Sequence, residues 1–234
     1  SAVKGVTDLL LAAIDTSVAG ENGVEHLEEA IRRERAIVSD LASGGFETPQ
    51  ATSYLDEQEA VLSRMVEGIR LLGQCPDETR ARILATGEGF ASRLMVDVLR
   101  GRGFDAHWSD TDVLPLADDS WLDSLVDIDA AAPRVRERLA SDFQVMVFPG
   151  FYGRNAYGKI QLLGRNGTDY SAAVIAAALE EPEPLAVGSP ADFIFVDRDP
   201  LAVSPGEVRQ TEVLATYVDG IEVDVDRSQR LWLD

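Results

Sequence analysis

The chain has 234 residues, 45% of them hydrophobic, so it is long enough to bury a substantial core in one or two domains. Its 21 lysines and arginines face 41 aspartates and glutamates, a net charge of −20, which argues against nucleic-acid or anionic-membrane binding because such surfaces need a basic patch. The single cysteine, Cys75, permits no internal disulfide, and no apolar run approaches the roughly 20 residues that span a bilayer. These features predict a cytoplasmic protein without nucleic-acid or membrane partners.

Helical periodicity dominates the first 101 residues. Three segments carry apolar residues at helical spacing and are bounded by capping residues or glycine: the stretch that follows the N-cap residue types Thr7 and Asp8 and stops at Gly20, about Val24 to Leu41, and Ser53 to Leu72. Pro76 then opens a longer helix, Asp77 to Arg100, which we expect to be interrupted at residues 86–89, because each glycine inside a helix costs about 1 kcal/mol.

From Gly103 onward, short apolar runs alternate with helical segments, which is the pattern of an α/β chain. The predicted strands are Asp105 to Ser109, Gln144 to Phe148 and Lys159 to Leu163, and the predicted helices are Pro133 to Ala140 and Tyr170 to Leu179. The run from Gln144 to Phe148 is continuously apolar, as in strands that are covered on both faces.

The composition and the predicted elements change after Glu180. Residues 181–184 read Glu-Pro-Glu-Pro, a composition typical of a linker. Three strands are predicted beyond it: Phe193 to Val196, Val213 to Val218 and Ile221 to Val225, the last two joined by an Asp219-Gly220 turn. We therefore expect two domains, residues 1–180 and 181–234.

Three short segments could carry chemistry. In residues 164–169, Gly-Arg-Asn-Gly-Thr-Asp, free N–H groups of a helix start, the Thr168 hydroxyl and the Arg165 guanidinium could converge on a carboxylate or phosphate, and the alternative is an ordinary capped helix. Residues 149–153, Pro-Gly-Phe-Tyr-Gly, form either a substrate-facing turn or simply a tight one. Glu88, between two glycines, could hold an ammonium group or be a solvated glutamate. Only two histidines are present, so no metal site is predicted.

Three stretches taken together resemble the aspartokinases, members of the amino-acid kinase family that phosphorylate the β-carboxylate of L-aspartate with ATP. They are SAVKGVTDLLLAA, RARILATGEGFASRLM and FPGFYGRNAYGKIQLLGRNGTDYSAAVIAAAL, and the resemblance covers about residues 1–180. It implies an α/β fold, a three-layer sheet with helices on both faces, truncated at its first strands and followed by a β-rich appendage. It also implies ATP with Mg²⁺ as cofactor and a role in amino-acid biosynthesis, including the lysine and threonine pathways.

The resemblance further implies a set of residues that bind aspartate: Ser1, Thr7, Glu88, Phe151, Gly153, Arg165, Thr168 and Asp169. Within this set, Glu88 matches the glutamate that pairs with the substrate α-ammonium, and Arg165 matches the arginine that clamps a carboxylate. Arg165 and Asp169 are the expected catalytic residues. Phosphoryl transfer fits such a set because it requires positioning and charge neutralisation rather than a protein nucleophile.

Two family motifs are absent from the given sequence: the Lys-Phe-Gly-Gly-Thr strand, whose lysine neutralises the transferring phosphoryl group, and the Thr-Asp-x-Asp-Gly nucleotide segment. Lys4 does not stand at the position of that lysine. We therefore expect this chain alone to be feeble or inactive, and a homo-oligomer or a complementing chain could be its partner.

Two alternatives stay open. The chain could bind an amino acid or carboxylate without transferring phosphate. Less favoured is a piece of a metal-dependent amidohydrolase, because residues 185–225 resemble the C-terminal tail of that family.

Overall fold

A computed structural model describes residues 1–179, 193–197, 213–218 and 221–223. The chain divides into two compact units, Ser1–Leu179 and Glu180–Asp234. The predicted linker at 181–184 and the predicted turn at Asp219-Gly220 lie outside the described residues.

The first unit begins with three helices that pack on one another: α1 (Val6–Val18), α2 (Val24–Ser43) and α3 (Pro49–Leu72). Their shared core consists of side chains spaced three or four residues apart, among them Leu10, Ile14, Leu27, Leu62 and Val66. Burying each large apolar side chain stabilises the fold by roughly 1.5–3 kcal/mol. None of the helices in the described part of the chain is long and apolar enough to cross a membrane.

Two helix starts differ from the prediction. α1 begins at Val6, with Gly5 as its N-cap at φ 78, so the prediction that Thr7 or Asp8 caps this helix is wrong. α3 begins at Pro49, four residues before the predicted Ser53, because proline is favourable in a first turn, where its missing N–H costs nothing.

The fourth predicted helix is two helices, α4 (Asp77–Leu84) and α5 (Thr86–Gly101), which meet at Ala85. The break therefore lies one residue before the predicted interruption at residues 86–89. Gly87 and Gly89 do not interrupt a helix but lie in the first turn of α5. This places Glu88 in a helix N-terminal turn.

The second half of this unit is α/β, as predicted. Strands β1 (Ala106–Trp108) and β2 (Val145–Val147) are parallel, with Trp108 opposite Val147, and α6 (Ile128–Leu139) lies between them in sequence. The side chains of β2 are only partly buried, so the expectation that both faces are covered is wrong for the described residues.

α6 starts five residues before the predicted Pro133, which lies inside the helix. The reason is a side-chain cap. The carboxylate of Asp127 accepts a hydrogen bond from the Ala130 N–H at 3.0 Å and so satisfies one free donor of the first turn.

An antiparallel hairpin follows β2. Strand β3 (Tyr152–Arg154) pairs with β4 (Ile160–Leu162), so residues 149–153 are not only a turn but also the start of a strand. The hairpin leads into α7 (Gly167–Ala178), which begins three residues before the predicted Tyr170. α6 and α7 pack together over a second core, which includes Val113, Leu114, Val135 and Val174.

The second unit contains a three-stranded antiparallel sheet in the order β5 (Phe193–Val196), β6 (Val213–Val218) and β7 (Ile221–Val223). These three predicted strands are confirmed, and the predicted end of the last one at Val225 lies outside the described residues.

Candidate functional site

The buried carboxylate of Glu88 is the centre of the candidate site. Glu88 is the third residue of α5 and is 5% exposed. Its Oε1 accepts a hydrogen bond from Thr168 Oγ1 at 2.6 Å, and Thr168 is the second residue of α7. The pair joins the N-terminal turns of two helices that are 80 positions apart in the sequence.

The start of α1 lies at the same place. A Cβ added to Gly87 would lie 3.0 Å from Ala2 Cβ and 3.3 Å from Cγ1 of Val6, the first residue of α1. The main-chain nitrogen of Ser1 lies 3.5 Å from Glu88 Oε2. Three helix N-termini therefore meet near one carboxylate, and the free N–H groups of such turns favour anionic ligand groups.

The turn after β2 packs directly against the start of α7. A Cβ on Gly150 would lie 2.6 Å from Thr168 Cγ2 and 2.8 Å from Thr168 Cα, and one on Gly167 would lie 3.1 Å from Phe151 Cα. Glycine at both positions permits this approach. Phe151 itself has φ 72, a conformation that costs an aromatic residue about 1–3 kcal/mol. The fold holds this turn against α7 in spite of that cost.

Arg165 and Asp169 flank the start of α7, and both side chains are exposed. Arg165 stands in a tight turn in which the Gly167 N–H donates to the Gly164 carbonyl at 3.2 Å. Its guanidinium has no hydrogen bond or ion pair within the described residues, so its N–H donors are available to a ligand.

Among the described residues, Thr7 and Gly153 form no hydrogen bond or ion pair with the side chains of the Glu88–Thr168 pair, and the same holds for Phe151, Arg165 and Asp169. Thr7 lies in the first turn of α1 and is partly buried. A Cβ on Gly153 would lie 2.6 Å from Leu116 Cδ2, so this glycine lets β3 approach the segment around Leu116. Substrate binding by either residue stays a prediction.

The structure also reveals polar residues that the sequence reasoning did not single out. Gln161 is 1% exposed, and its Oε1 has no hydrogen-bond partner within the described chain. Glu34, in the middle of α2, is 5% exposed, and its Oε1 is likewise without a partner in that part. Burial raises the pKa of Glu34 to about 8. The signal for both was a polar residue at an apolar position of the periodic pattern.

Among the described residues, no group of three or more histidine, cysteine, aspartate and glutamate side chains is placed to hold a metal ion. The Glu88 cluster contributes one carboxylate and one hydroxyl. A carboxylate can bind an ammonium group, and the free N–H groups of a helix N-terminus can donate to a carboxylate.

The chain is similar to known proteins of one family. A family model described as the amino acid kinase family matches residues 1–187. An aspartokinase of Chlamydia pneumoniae is 31% identical over 176 residues, which is 75% of this chain and 37% of that protein. A bifunctional aspartokinase/homoserine dehydrogenase of Haemophilus influenzae is 30% identical over 181 residues, 76% of this chain and 22% of that protein.

Solved structures give the same result. A complex of Escherichia coli aspartokinase III with lysine and aspartate matches with a TM-score of 0.57 and 28% identity, over 77% of this chain and 39% of that one. The complex of this enzyme with aspartate and ADP matches with a TM-score of 0.55 and 26% identity, over the same shares. The chain thus spans between about a fifth and two fifths of the relatives and structures named here.

Proposed function

The chain belongs to the amino acid kinase family, and on that premise we propose that it is part of an aspartokinase-type enzyme that phosphorylates the β-carboxylate of L-aspartate with ATP. The observation that carries the proposal is the 2.6 Å hydrogen bond from Thr168 to Glu88, which joins two of the three stretches that resemble aspartokinases. The relatives named aspartokinase, and the solved complexes that hold aspartate, support this choice of substrate.

Each group of the substrate has a counterpart. The Glu88 carboxylate binds the α-ammonium of the substrate. Arg165 binds a carboxylate through two parallel N–H donors, and the free N–H groups of α7 add to this attraction. Thr168 holds Glu88 in place, while Phe151 and Gly153 shape the turn beside it. Asp169 acts at the start of α7, close to the transferred group.

Ser1 and Thr7 complete the proposed contacts with aspartate. ATP is the proposed phosphoryl donor, supported by the solved aspartokinase complex that holds ADP. The described residues offer no carboxylate cluster for Mg²⁺. Of the two lysines, Lys159 is bound to Glu78 at 2.8 Å, and Lys4 is exposed in the loop before α1. The described residues therefore do not fit a Mg²⁺-bound nucleotide.

The remaining proposals concern context. We propose that residues 1–180 form the kinase-like domain and residues 181–234 a separate β-rich domain, in a cytoplasmic protein that acts as a homo-oligomer or with a complementing chain. The likeness of residues 185–225 to an amidohydrolase tail stays a prediction, because most of them lie outside the described residues.

The test is formation of aspartyl phosphate from ATP and aspartate, trapped with hydroxylamine, together with calorimetric titration of aspartate. Product that disappears in Arg165→Ala supports the kinase. Aspartate binding without product supports the alternative that this chain binds the amino acid but does not transfer phosphate. If neither product formation nor aspartate binding is detected, both the kinase proposal and the binding alternative are refuted.

A further inference from the structure

A second polar cavity lies in the first unit, where α3, the junction of α4 and α5, β1 and the β3–β4 hairpin meet. Its volume is about 270 Å³, and its walls include Tyr54, Arg82, Arg93, Trp108, Tyr152 and Arg154. None of the proposed aspartate-binding residues lines it. An inference about this cavity is therefore independent of the proposed function.

Arg93 is held in the cavity wall by two aromatic rings. Its guanidinium carbon lies 3.8 Å from the centroid of the Trp108 ring and 4.2 Å from that of the Tyr54 ring. The Trp108 indole N–H donates to Ser92 Oγ at 3.0 Å, which fixes one ring. A Cβ on Gly89 would lie 2.3 Å from the Tyr54 hydroxyl, so glycine is required there for the second ring. The two rings cover the faces of the Arg93 guanidinium, so a ligand can reach it only at its edge.

That edge is only partly used. Nη1 of Arg93 donates to the Gly89 carbonyl at 2.8 Å, and no carboxylate pairs with Arg93 within the described residues. Arg82 is exposed and also lacks an ion pair there. Arg154, by contrast, is paired with a carboxylate: it binds Asp110 at 2.8 Å and donates to the Gly158 carbonyl. The cavity thus contains two arginines with free donors.

Free arginines are unexpected in this chain, which has 41 acidic and 21 basic residues. Two carboxylates line the cavity together with its three arginines: Asp110 pairs with Arg154, and Glu57 accepts a hydrogen bond from Ser53. Three arginines against two carboxylates leave the lining one positive charge in excess. Burial raises the pKa of Tyr54 to about 12 and also raises the pKa of Tyr152, so both phenols keep their protons and add no negative charge.

We propose that this cavity binds a small molecule through a carboxylate or phosphate group held by Arg82 and Arg93. The planar guanidinium edge matches the two oxygens of either group, which explains why a stacked arginine suits the role. The volume is just below the range of about 300–1,000 Å³ that holds drug-sized ligands, so the ligand is a small metabolite and not a macromolecule.

The experiment titrates the full chain with malonate and, separately, with inorganic phosphate, against sodium chloride of equal ionic strength. The readout is the NMR resonance of the Trp108 indole N–H, assigned by its loss in Trp108→Phe. We expect a saturable shift with one or both probes, and the probe that binds more tightly identifies a carboxylate or a phosphate ligand. A shift that chloride reproduces would overturn the proposal, because it would reflect ionic screening alone.

Variants sharpen the result. Arg82→Met and Arg93→Met should each weaken binding by about tenfold or more, and Arg82 is exposed and without described contacts, so its loss leaves folding intact. The matched control is Arg102→Met, which removes another exposed arginine without an ion pair that does not line the cavity. Arg165→Met should also bind the probe normally, which separates this site from the proposed aspartate site. Wild-type affinity in both Arg82→Met and Arg93→Met would refute the site.

Discussion

Two buried glutamates, Glu88 and Glu34, show how surroundings decide what a carboxyl group can do. Both are 5% exposed. Glu88 lies in a helix N-terminal turn and accepts a hydrogen bond from Thr168. Glu34 lies in the middle of α2, one of its oxygens has no partner among the described residues, and burial raises its pKa to about 8. Glu88 is thus held by a hydrogen bond at a helix N-terminus, where it can contact a ligand, whereas burial keeps Glu34 a neutral acid at pH 7.

The largest expected effect concerns Glu34. Burial raises the pKa of Glu34 from its ordinary value of 4.5 to about 8 in the folded chain. The proton on Glu34 therefore stabilises the fold fully below about pH 4.5, and this stabilisation is lost as the pH rises through about 8. Glu34→Gln removes this loss. At about pH 9 the variant should exceed the wild type in free energy of unfolding by up to about 5 kcal/mol, with little difference near pH 4.

Chemical unfolding at several pH values measures this difference. Glu28→Gln, which removes an exposed carboxylate from the same helix, is the control and should follow the wild type closely. If Glu34→Gln and Glu28→Gln have the same pH profile, the contrast between the two buried glutamates is wrong.

The next effect tests how closely the turn after β2 approaches α7. Gly150→Ala would place a Cβ 2.8 Å from the Cα of Thr168, which is backbone and cannot yield without moving the helix start. We expect a loss of about 1–3 kcal/mol in stability and weaker aspartate binding. Gly68→Ala is the matched control: Gly68 is inside α3 with nothing within 4 Å of an added Cβ, so alanine there should stabilise the helix by about 0.5–1 kcal/mol. Thermal unfolding of Gly150→Ala and Gly68→Ala measures the two changes in stability. Equal stability of the two variants would contradict the close packing of the turn against α7.

A smaller effect should follow from Thr168→Val, which keeps the shape of the side chain but removes the hydroxyl that donates to Glu88. Glu88 Oε1 would then lack its hydrogen-bond donor, as Glu34 Oε1 does among the described residues. The expected cost is about 1–2 kcal/mol in the free energy of unfolding, because a buried acceptor loses its donor, and Thr168→Ser should recover most of it. Denaturant unfolding of the two variants side by side measures the difference, and identical stabilities would show that the hydrogen bond contributes nothing.

The sequence predicted helices better than long-range contacts. α2 begins at the predicted Val24 and α3 ends at the predicted Leu72, because local spacing of apolar residues defines both. Strand β3 was missed because it exists through pairing with β4, and no periodicity marks three residues. The early start of α7 depends on Asn166, which adopts a left-handed conformation at φ 59.

In the candidate site, too, the sequence predicted local features better than long-range contacts. Glu88 and Thr168 were both singled out from their local patterns, but their contact spans 80 positions and could not be deduced from spacing. Only the resemblance to aspartokinases predicted that the two residues belong to one site. Gly150 was predicted only as part of the turn at residues 149–153, because a glycine that permits close approach looks the same in sequence as one that makes a turn. Arg93 was overlooked because its role depends on two rings, Tyr54 and Trp108, supplied by other elements.

The most direct test of the central claim is calorimetric titration of L-aspartate into the full chain and into Glu88→Gln, Arg165→Ala and Arg102→Ala. One saturable site should appear in the wild type and in Arg102→Ala, whose exposed arginine lies elsewhere. Affinity should fall by about tenfold or more in the other two variants, because each loses a charged group that binds the amino acid. Equal affinity in all four proteins, or no binding in the wild type, would contradict the assignment of the Glu88 and α7 region as the aspartate site.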